Sequence, residues 1–420
     1  MVSQSSERSE GFVVKYVILL ASILIQTCIG GLYAWSEFVP ALKRVHGLST
    51  AQTQLIFGVL IATFTVSMVA AGRLLNRIKP RWIAGLGGIA FGGGYWLASQ
   101  SDGNVTLLLL GIGVVAGVGT GFCYVCPLAM CAKWFPRHKG LVTGVTVAGF
   151  GGGAILLSSL AESFFARSVD VLSVFRIIGL LYGSVILAAA LLLRLPDGEA
   201  TSAQPVEFGV LKRDRHFWGL ALGMLAGTFA GLLVIGNLKP MILSVGVASP
   251  VATAAISAFA VGNAVGRISW GWVTDRLGVG AIPLSLIFLT VMIALAWFFI
   301  DSPAGAVILS ALLGAGFGAC FVVYAAQTAS HYGTDHLGAI YPLVFLAYGV
   351  SGLAGPWLGG WMYDRTESYL GGLVLSLVIL LVSIPASLGL LGMFKDVLQT
   401  GRSVETDDLE GRPSRRRQRL

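Results

Sequence analysis

Two short stretches of this sequence, Gly72–Ile78 (GRLLNRI) and Gly271–Gly278 (GWVTDRLG), decide the fold. Both fit the pattern Gly-x-x-x-(Asn/Asp)-Arg-(Ile/Leu), and they follow the second and the eighth long apolar segments of the chain. The same motif at corresponding places in two parts of a chain indicates an internal repeat. The repeat predicts two related halves, each with the same succession of helices.

The composition around these stretches is typical of a membrane protein. Hydrophobic residues make up 55% of the 420 residues and charged residues only 11%, whereas soluble domains are about 25% charged. A spanning helix needs about 20 mostly apolar residues. We therefore predict an all-α membrane protein with twelve transmembrane helices in two pseudo-symmetric six-helix halves. The predicted spans are 14–39, 50–72, 82–100, 104–131, 141–163, 172–194, 216–243, 250–272, 280–300, 304–328, 339–360 and 368–394.

Lys and Arg predict the orientation of these spans, because cytoplasmic loops carry an excess of them. With the N-terminus inside, the outer segments hold only Lys43, Arg44, Arg167, Arg176, Lys239 and Arg365. We therefore predict a multi-pass protein of the plasma membrane, or of the inner membrane if bacterial, with both termini cytoplasmic. The net charge of +8 then reflects this bias, and no nucleic-acid partner is expected.

The polar interruptions of the apolar pattern divide the chain into five parts. We predict a cytoplasmic N-terminal tail over 1–13, a six-helix half over 14–194, a cytoplasmic linker over 195–215, a second six-helix half over 216–394 and a basic cytoplasmic tail over 395–420. The polar start leads into the first apolar segment with no small-residue cleavage site, which favours a retained helix over a signal peptide.

The paired stretches resemble the signature of the major facilitator superfamily between its second and third helices. The Asp that is usual there is Asn76 in the first half, so a charge lock at that loop is weakened, whereas Asp275 keeps the acid in the second half. The resemblance implies gating loops at Asn76, Arg77, Asp275 and Arg276.

A narrower resemblance lies in the segment Lys133–Gly140 (KWFPRHKG), followed by Gly144. It is similar to the (R/K)WFP-x-(K/R)-(R/K)-G segment of the oxalate–formate antiporter family, which is related to the monocarboxylate transporters. Tyr33–Ser36 (YAWS) and Gly262–Arg267 (GNAVGR) are similar too. The resemblance covers nearly the whole chain and implies transport of small organic anions between two rocking halves.

Arg267 is the residue that we single out for substrate binding. A charge at the centre of a spanning helix costs about 2.5–3.5 kcal/mol, so such residues usually face a water-filled cavity. A guanidinium matches a carboxylate through two hydrogen bonds, and in the family that this chain resembles the matching Arg binds the anion. Asn263 lies one turn earlier on the same face. The alternative is a structural Arg that reaches towards the helix end.

The eleventh segment carries Tyr348 where, by resemblance, relatives that carry the dianion oxalate have a Lys. One deep cation remains instead of two, which favours a monoanion. Tyr341, Phe345 and Tyr348 share one helix face, as do Phe321 and Tyr324 in the tenth segment. We predict that these residues form an aromatic wall around the substrate; packing or lipid-facing roles are the alternative.

The first segment carries a polar seam that includes Tyr33 and Glu37, and such a seam is expected to face the bundle interior. Tyr33 is a predicted substrate contact, and so is Tyr124 in the fourth segment. Glu37 is a candidate proton carrier if it is buried. A solvated acid at the outer mouth is the alternative that we favour for Glu37.

The sequence carries no Walker loop, so ATP is not the expected driver, and no constellation of an enzyme. No cofactor or metal site is expected, because the five histidines lie in or beside the predicted loops. The function that the residues and the resemblance predict is secondary active transport of small monocarboxylates such as lactate, pyruvate, formate or acetate, with proton symport, by a monomer in the lipid bilayer. A carboxylate antiporter, a carboxylate sensor on the same fold, and a drug or sugar carrier are the alternatives.

Overall fold

The computed structural model describes residues 2–75, 77–135, 139–196 and 211–392, and within these ranges the chain forms helices and no strand. A 3-10 helix, Gly31–Glu37, continues the first helix, and a π-helical stretch, Leu109–Ala116, joins the fifth to the sixth. The α-helices are α1 (Val2–Gly30), α2 (Val39–His46), α3 (Thr50–Leu74), α4 (Pro80–Ala98), α5 (Val105–Leu108), α6 (Gly117–Trp134), α7 (Lys139–Ala166), α8 (Val171–Leu192), α9 (Arg215–Ser244), α10 (Ser249–Leu277), α11 (Ala281–Phe299), α12 (Pro303–Tyr332), α13 (Thr334–Thr366) and α14 (Leu370–Leu390).

The predicted number of membrane-spanning helices is confirmed. Ten stretches of the described residues are long and apolar enough to cross a membrane, and one of them, Ser249–Phe299, contains both α10 and α11. Helix α4 is not among the ten, because its glycines lower its mean hydropathy, but it packs between α6 and α8 as a spanning helix does. With α4 the total is twelve.

The predicted tails, linker and loops are described only in part. Helix α1 begins at Val2, so residues 2–13 of the predicted N-terminal tail are helical, and their place outside the membrane stays a prediction. Most of the predicted linker, the basic tail 395–420, Asn76 and residues 136–138 lie outside the described residues.

We call the face that carries Arg77 and Arg276 the inner face, and the opposite face, which carries the loops before α3 and after α13, the outer face. Helices α1 to α8 form one half and α9 to α14 the other. The halves meet where α3 packs on α13, where α7 packs on α10, and where the 3-10 helix packs on α9.

Small residues allow the close approach of α3 and α13. A Cβ atom added to Gly58 would lie only 2.8 Å from the carbonyl oxygen of Gly352 in the other half. Since apolar side chains gain nothing by leaving apolar lipid, such close backbone packing is what holds helices together in a membrane.

The outer face also carries polar contacts between the halves. The Asp364 carboxylate, at the end of α13, accepts hydrogen bonds from the backbone N–H groups of Thr50 (3.0 Å) and Ala51 (2.7 Å) at the start of α3. The Lys43 ammonium donates to the Thr50 hydroxyl at 2.6 Å, and burial lowers its pKa although Asp364 acts in the opposite direction. The outer ends of the two halves are therefore in contact.

Candidate functional site

A small cavity lies between the two halves, about midway along their helices. Only one of the side chains that line it carries a charge. The N-terminal half contributes four aromatic residues, and the C-terminal half contributes the charged residue and three further rings. The lining residues are Tyr33, Phe64, Tyr124, Phe150, Arg267, Phe321, Phe345 and Tyr348.

The charged residue of the cavity is Arg267, on α10. Its Nε donates to the Asn263 side-chain oxygen at 2.9 Å, and its guanidinium lies over the Phe321 ring, 4.4 Å from the ring centroid. Tyr124, from the other half, lines the same cavity. These contacts orient the planar group while its Nη nitrogens retain donors for a ligand.

Close packing of α10 against α12 places Arg267 over the Phe321 ring. A Cβ atom added to Gly318 would lie 2.5 Å from the Asn263 carbonyl oxygen. Only glycine therefore allows the two backbones to approach this closely. Phe321, one turn further along α12, is brought under the guanidinium as a result.

Two tyrosines connect the halves across the cavity. The hydroxyl oxygens of Tyr33 and Tyr348 are 2.9 Å apart and share a buried hydrogen bond. The Tyr33 ring packs edge-on against Phe150, with centroids 5.5 Å apart, and the Tyr348 ring packs against Phe345 at 5.0 Å. The pair therefore forms part of the cavity wall.

Three of the predicted substrate contacts lie outside the cavity lining. Asn263 acts through Arg267, as described above. Tyr341 donates its hydroxyl to the Phe321 carbonyl oxygen at 3.1 Å. Tyr324 is fully buried against Gly223 of α9, and its hydroxyl has no hydrogen-bond partner among the described residues. Direct substrate contact by these three stays a prediction that the arrangement of the cavity does not favour.

Two lining residues were not anticipated from the sequence. Phe64 packs edge-on against Tyr124, with ring centroids 5.3 Å apart, and Phe150 packs against both Tyr33 and Tyr124. Both are apolar residues in apolar helices, so no local contrast distinguishes them. Phe150 does lie within the glycine-rich run of α7, which is the one signal that the sequence offers.

The Glu37 side chain corrects a prediction. Glu37 is only 1% exposed and pairs with the Lys239 ammonium, so its expected position as a solvated acid is wrong. Lys239, assigned to the outer segments from the sequence, is buried within α9 and also pairs with Glu162. Lys239 is thus a second buried cation, but it does not line the cavity, where Arg267 is the charged residue.

The predicted gating residues lie at the inner face. Arg77 is exposed in the turn after α3, and Asp275 and Arg276 are exposed near the end of α10. The Arg276 guanidinium lies over the Trp272 ring, 3.5 Å from its centroid. Asn76 lies outside the described residues, so its part of the predicted loop pair has no structural description.

Two histidines, predicted to lie in or beside loops, stack at the inner end of the C-terminal half. The His216 ring, in the first turn of α9, lies 3.6 Å from that of His331, in the last turn of α12. Asp214 caps α9 through the His216 N–H and accepts a hydrogen bond from Tyr332. Burial alone raises the pKa of Asp214, but these hydrogen bonds outweigh it and hold the pKa below its usual value. Within the described residues, no three His, Cys, Asp or Glu side chains form a metal-binding group.

Comparisons with known proteins indicate the family to which the chain is similar. A family model described as Major Facilitator Superfamily matches residues 17–356 and 235–413. The chain is 26% identical over 355 residues to the oxalate:formate antiporter of Oxalobacter formigenes, covering 82% of this chain and 84% of that protein. It is 26% identical over 335 residues to monocarboxylate transporter 12 of Xenopus laevis, covering 69% and 70%.

A solved structure shares the fold. It is a bacterial homologue of the human lysosomal transporter Spinster, crystallised in an inward-facing and unoccupied conformation. The TM-score is 0.72 at 16% sequence identity, and the match covers 91% of this chain and 98% of that one.

Proposed function

Because the chain belongs to the Major Facilitator Superfamily, we propose that it is a secondary active transporter of small monocarboxylates such as lactate, pyruvate, formate or acetate. The anion binds between the halves, which then rock to expose it to the other side. Proton symport is the proposed coupling, with the plasma membrane as location, both termini cytoplasmic and the monomer as the working unit.

One observation carries the proposal: Arg267 is the charged side chain in a cavity otherwise lined by aromatic rings. A guanidinium held at its Nε and stacked on a ring can still offer Nη donors to both oxygens of a carboxylate. Further donors are the Tyr124 hydroxyl and whichever of the Tyr33 and Tyr348 hydroxyls accepts in the hydrogen bond that they share. The rings exclude water, which strengthens the ionic contact, and they suit the short apolar part of a monocarboxylate.

The charge of the cavity supports a monoanion over a dianion. Tyr348 lines the cavity, and the resemblance to the oxalate–formate antiporter family implies a Lys at this position in relatives that carry oxalate. The other buried cation, Lys239, is paired with Glu37 and Glu162 and does not line the cavity. A second carboxylate in the ligand would therefore lack a cation and would be costly to desolvate.

The position of the cavity supports alternating access. Its walls come from both halves, so separating the outer ends would break the Tyr33–Tyr348 hydrogen bond and open the site. In this scheme Glu37 is the proton carrier, and Arg77, Asp275 and Arg276 act at the inner gate together with Asn76.

Uptake by proteoliposomes tests the proposal. Purified protein should accumulate radiolabelled lactate, pyruvate or formate when the outside is acidic, and accumulation should fall when the pH gradient is removed. Arg267→Ala should abolish uptake, whereas Arg176→Ala, which removes an exposed guanidinium from α8, should not. Unchanged uptake by Arg267→Ala would exclude the cavity as the anion site.

Carboxylate exchange is the second candidate, and the similarity to a protein named as an oxalate:formate antiporter favours it. An exchanger would take up labelled substrate only into vesicles preloaded with a carboxylate. Uptake into empty vesicles under a proton gradient would exclude obligatory exchange.

A further inference from the structure

A second charged cluster lies near the outer face, apart from the cavity. The Lys239 ammonium contacts both the Glu37 and the Glu162 carboxylates and lies 3.0 Å from the Thr253 hydroxyl. The Ser249 hydroxyl donates to the Glu162 carboxylate at 3.0 Å, and the Thr253 hydroxyl lies 3.2 Å from it. Every member of the cluster is thus held by another.

The cluster is divided between the two halves of the protein. Glu37, at the end of the 3-10 helix, and Glu162, near the end of α7, belong to the N-terminal half. Lys239 of α9, with Ser249 and Thr253 of α10, belongs to the C-terminal half. The ion pairs therefore exist only while the outer ends of the halves are in contact.

The two acids differ in their access to solvent. Glu37 and Lys239 are almost fully buried, whereas 28% of the Glu162 side chain is exposed. Two carboxylates share one ammonium, so the ionised cluster carries one negative charge in excess. Glu162 lies at the solvent-exposed edge of the cluster, so a proton from outside reaches it before it reaches Glu37.

We propose that Glu162 is a proton-binding residue that controls the outer closure: its carboxylate helps to clamp Lys239 across the halves, and protonation releases that clamp. The charged groups that face Glu162 are Lys239, from α9, and Glu37, from the 3-10 helix; the groups that face it from α10 are the Ser249 and Thr253 hydroxyls. Lys239 is adjacent only in the closed arrangement, and an opposite charge favours the ionised carboxyl. Since the open arrangement binds the proton more tightly, acid shifts the population towards it.

Several groups could oppose this effect, and the structure ranks them. Desolvation is the largest single effect on Glu162 and favours the protonated acid in the closed arrangement, but the Lys239 ion pair and the Ser249 and Thr253 hydroxyls together outweigh it. The negative charge of Glu37 acts in the same direction as desolvation, but Glu37 and Glu162 belong to the same half, so this charge accompanies Glu162 in both arrangements. The contacts from the C-terminal half therefore decide the difference between the two arrangements.

Spin-label distances across the outer face test the proposal without substrate. The five native cysteines are all buried, so nitroxides can be placed at Asp102→Cys and Asp301→Cys, two exposed loop positions on opposite halves. In lipid nanodiscs, acidification from about pH 8 to about pH 4, which brackets the ordinary pKa of Glu, should increase the population at the longer distance. Glu162→Gln should show about fivefold more of that population at neutral pH, as expected for loss of a partly exposed ion pair, and a weaker response to acid.

Three variants make the result specific to Glu162. Glu162→Asp should keep the acid response, and Glu367→Gln, which neutralises an exposed acid of an outer loop, should behave like the parent protein. Asp364→Asn removes a carboxylate that joins the halves at a different place, between α13 and α3. The proposal would be overturned if the distance distribution of the parent protein did not change with pH. It would also be overturned if the acid response persisted in Glu162→Gln and disappeared in Asp364→Asn. Because no substrate is present, an error in the proposed substrate class leaves this test unaffected.

Discussion

Replacing Arg267 by Lys keeps the positive charge of the cavity and removes the planar fork, so it isolates what the geometry contributes. In the structure the guanidinium Nε is occupied by Asn263, which leaves the Nη nitrogens to meet two carboxylate oxygens. A lysine ammonium has no fork that matches both oxygens, so one charge-assisted hydrogen bond is lost, at a cost of about 1.5–3 kcal/mol. Binding of the preferred monocarboxylate should weaken by about 10- to 150-fold.

Asn263 provides the matched test of the same reasoning. Asn263→Ala removes the contact that orients the guanidinium and should weaken binding by about fivefold, corresponding to about 1 kcal/mol for one hydrogen bond. In an Arg267→Lys background the same change should cost almost nothing, because the Lys has no Nε to hold. Calorimetric titration of the four proteins forms a double-mutant cycle. Equal binding by Arg267→Lys and the parent protein, or additive effects of the two changes, would refute the geometric argument.

The remaining predictions concern the acids and the substrate. Glu37→Gln should leave substrate exchange across proteoliposome membranes intact but weaken accumulation driven by an acidic exterior; accumulation at the parent level would remove Glu37 from the coupling mechanism. In competition assays at neutral pH, formate, lactate or pyruvate should displace a bound monocarboxylate better than oxalate does, and tighter binding of oxalate would show the charge argument to be wrong. Asp214→Asn should lower the free energy of unfolding by about 0.5–1 kcal/mol at neutral pH. The pKa of Asp214 is lowered in the folded protein. Its contribution to the free energy of unfolding is therefore present above the unfolded pKa of about 3.9 and is lost as the pH falls through the folded pKa. The free energies of unfolding of the two proteins should become equal in acid.

The sequence predicted the parts of this protein that depend on local contrast. Long apolar segments identify spanning helices whatever they pack against, and even the glycine-rich α4 was located between polar turns. Arg267 stood out because a single charged residue within an apolar spanning helix is costly and usually has a functional role. Helical spacing put Tyr341, Phe345 and Tyr348 on one face, of which Phe345 and Tyr348 line the cavity and Tyr341 does not. Tyr33 and Tyr348 prove to be partners although 315 residues separate them.

The parts that the sequence did not predict depend on contacts between distant segments. Glu37 and Lys239 are 202 residues apart, and each alone resembles an ordinary charge near a helix end. Only their pairing explains how either can be buried, because an isolated charge would be too costly to desolvate. Phe64 carries no local signal, and Phe150 has only the neighbouring glycines of α7, since a ring that faces a cavity and a ring that faces lipid look alike in an apolar helix.

The hydrogen bond between Tyr33 and Tyr348 bears on whether the carrier can return across the membrane without a substrate. The two hydroxyls share a hydrogen bond with each other, so closing the halves without a substrate between them would leave neither of these buried groups unsatisfied. A carrier with this property can change from one facing state to the other without a substrate. An obligatory exchanger cannot do this, whereas concentrative uptake requires it. Replacing both tyrosines by Phe should preserve that freedom, whereas replacing one should strand the other hydroxyl and slow efflux into substrate-free buffer more than it slows exchange.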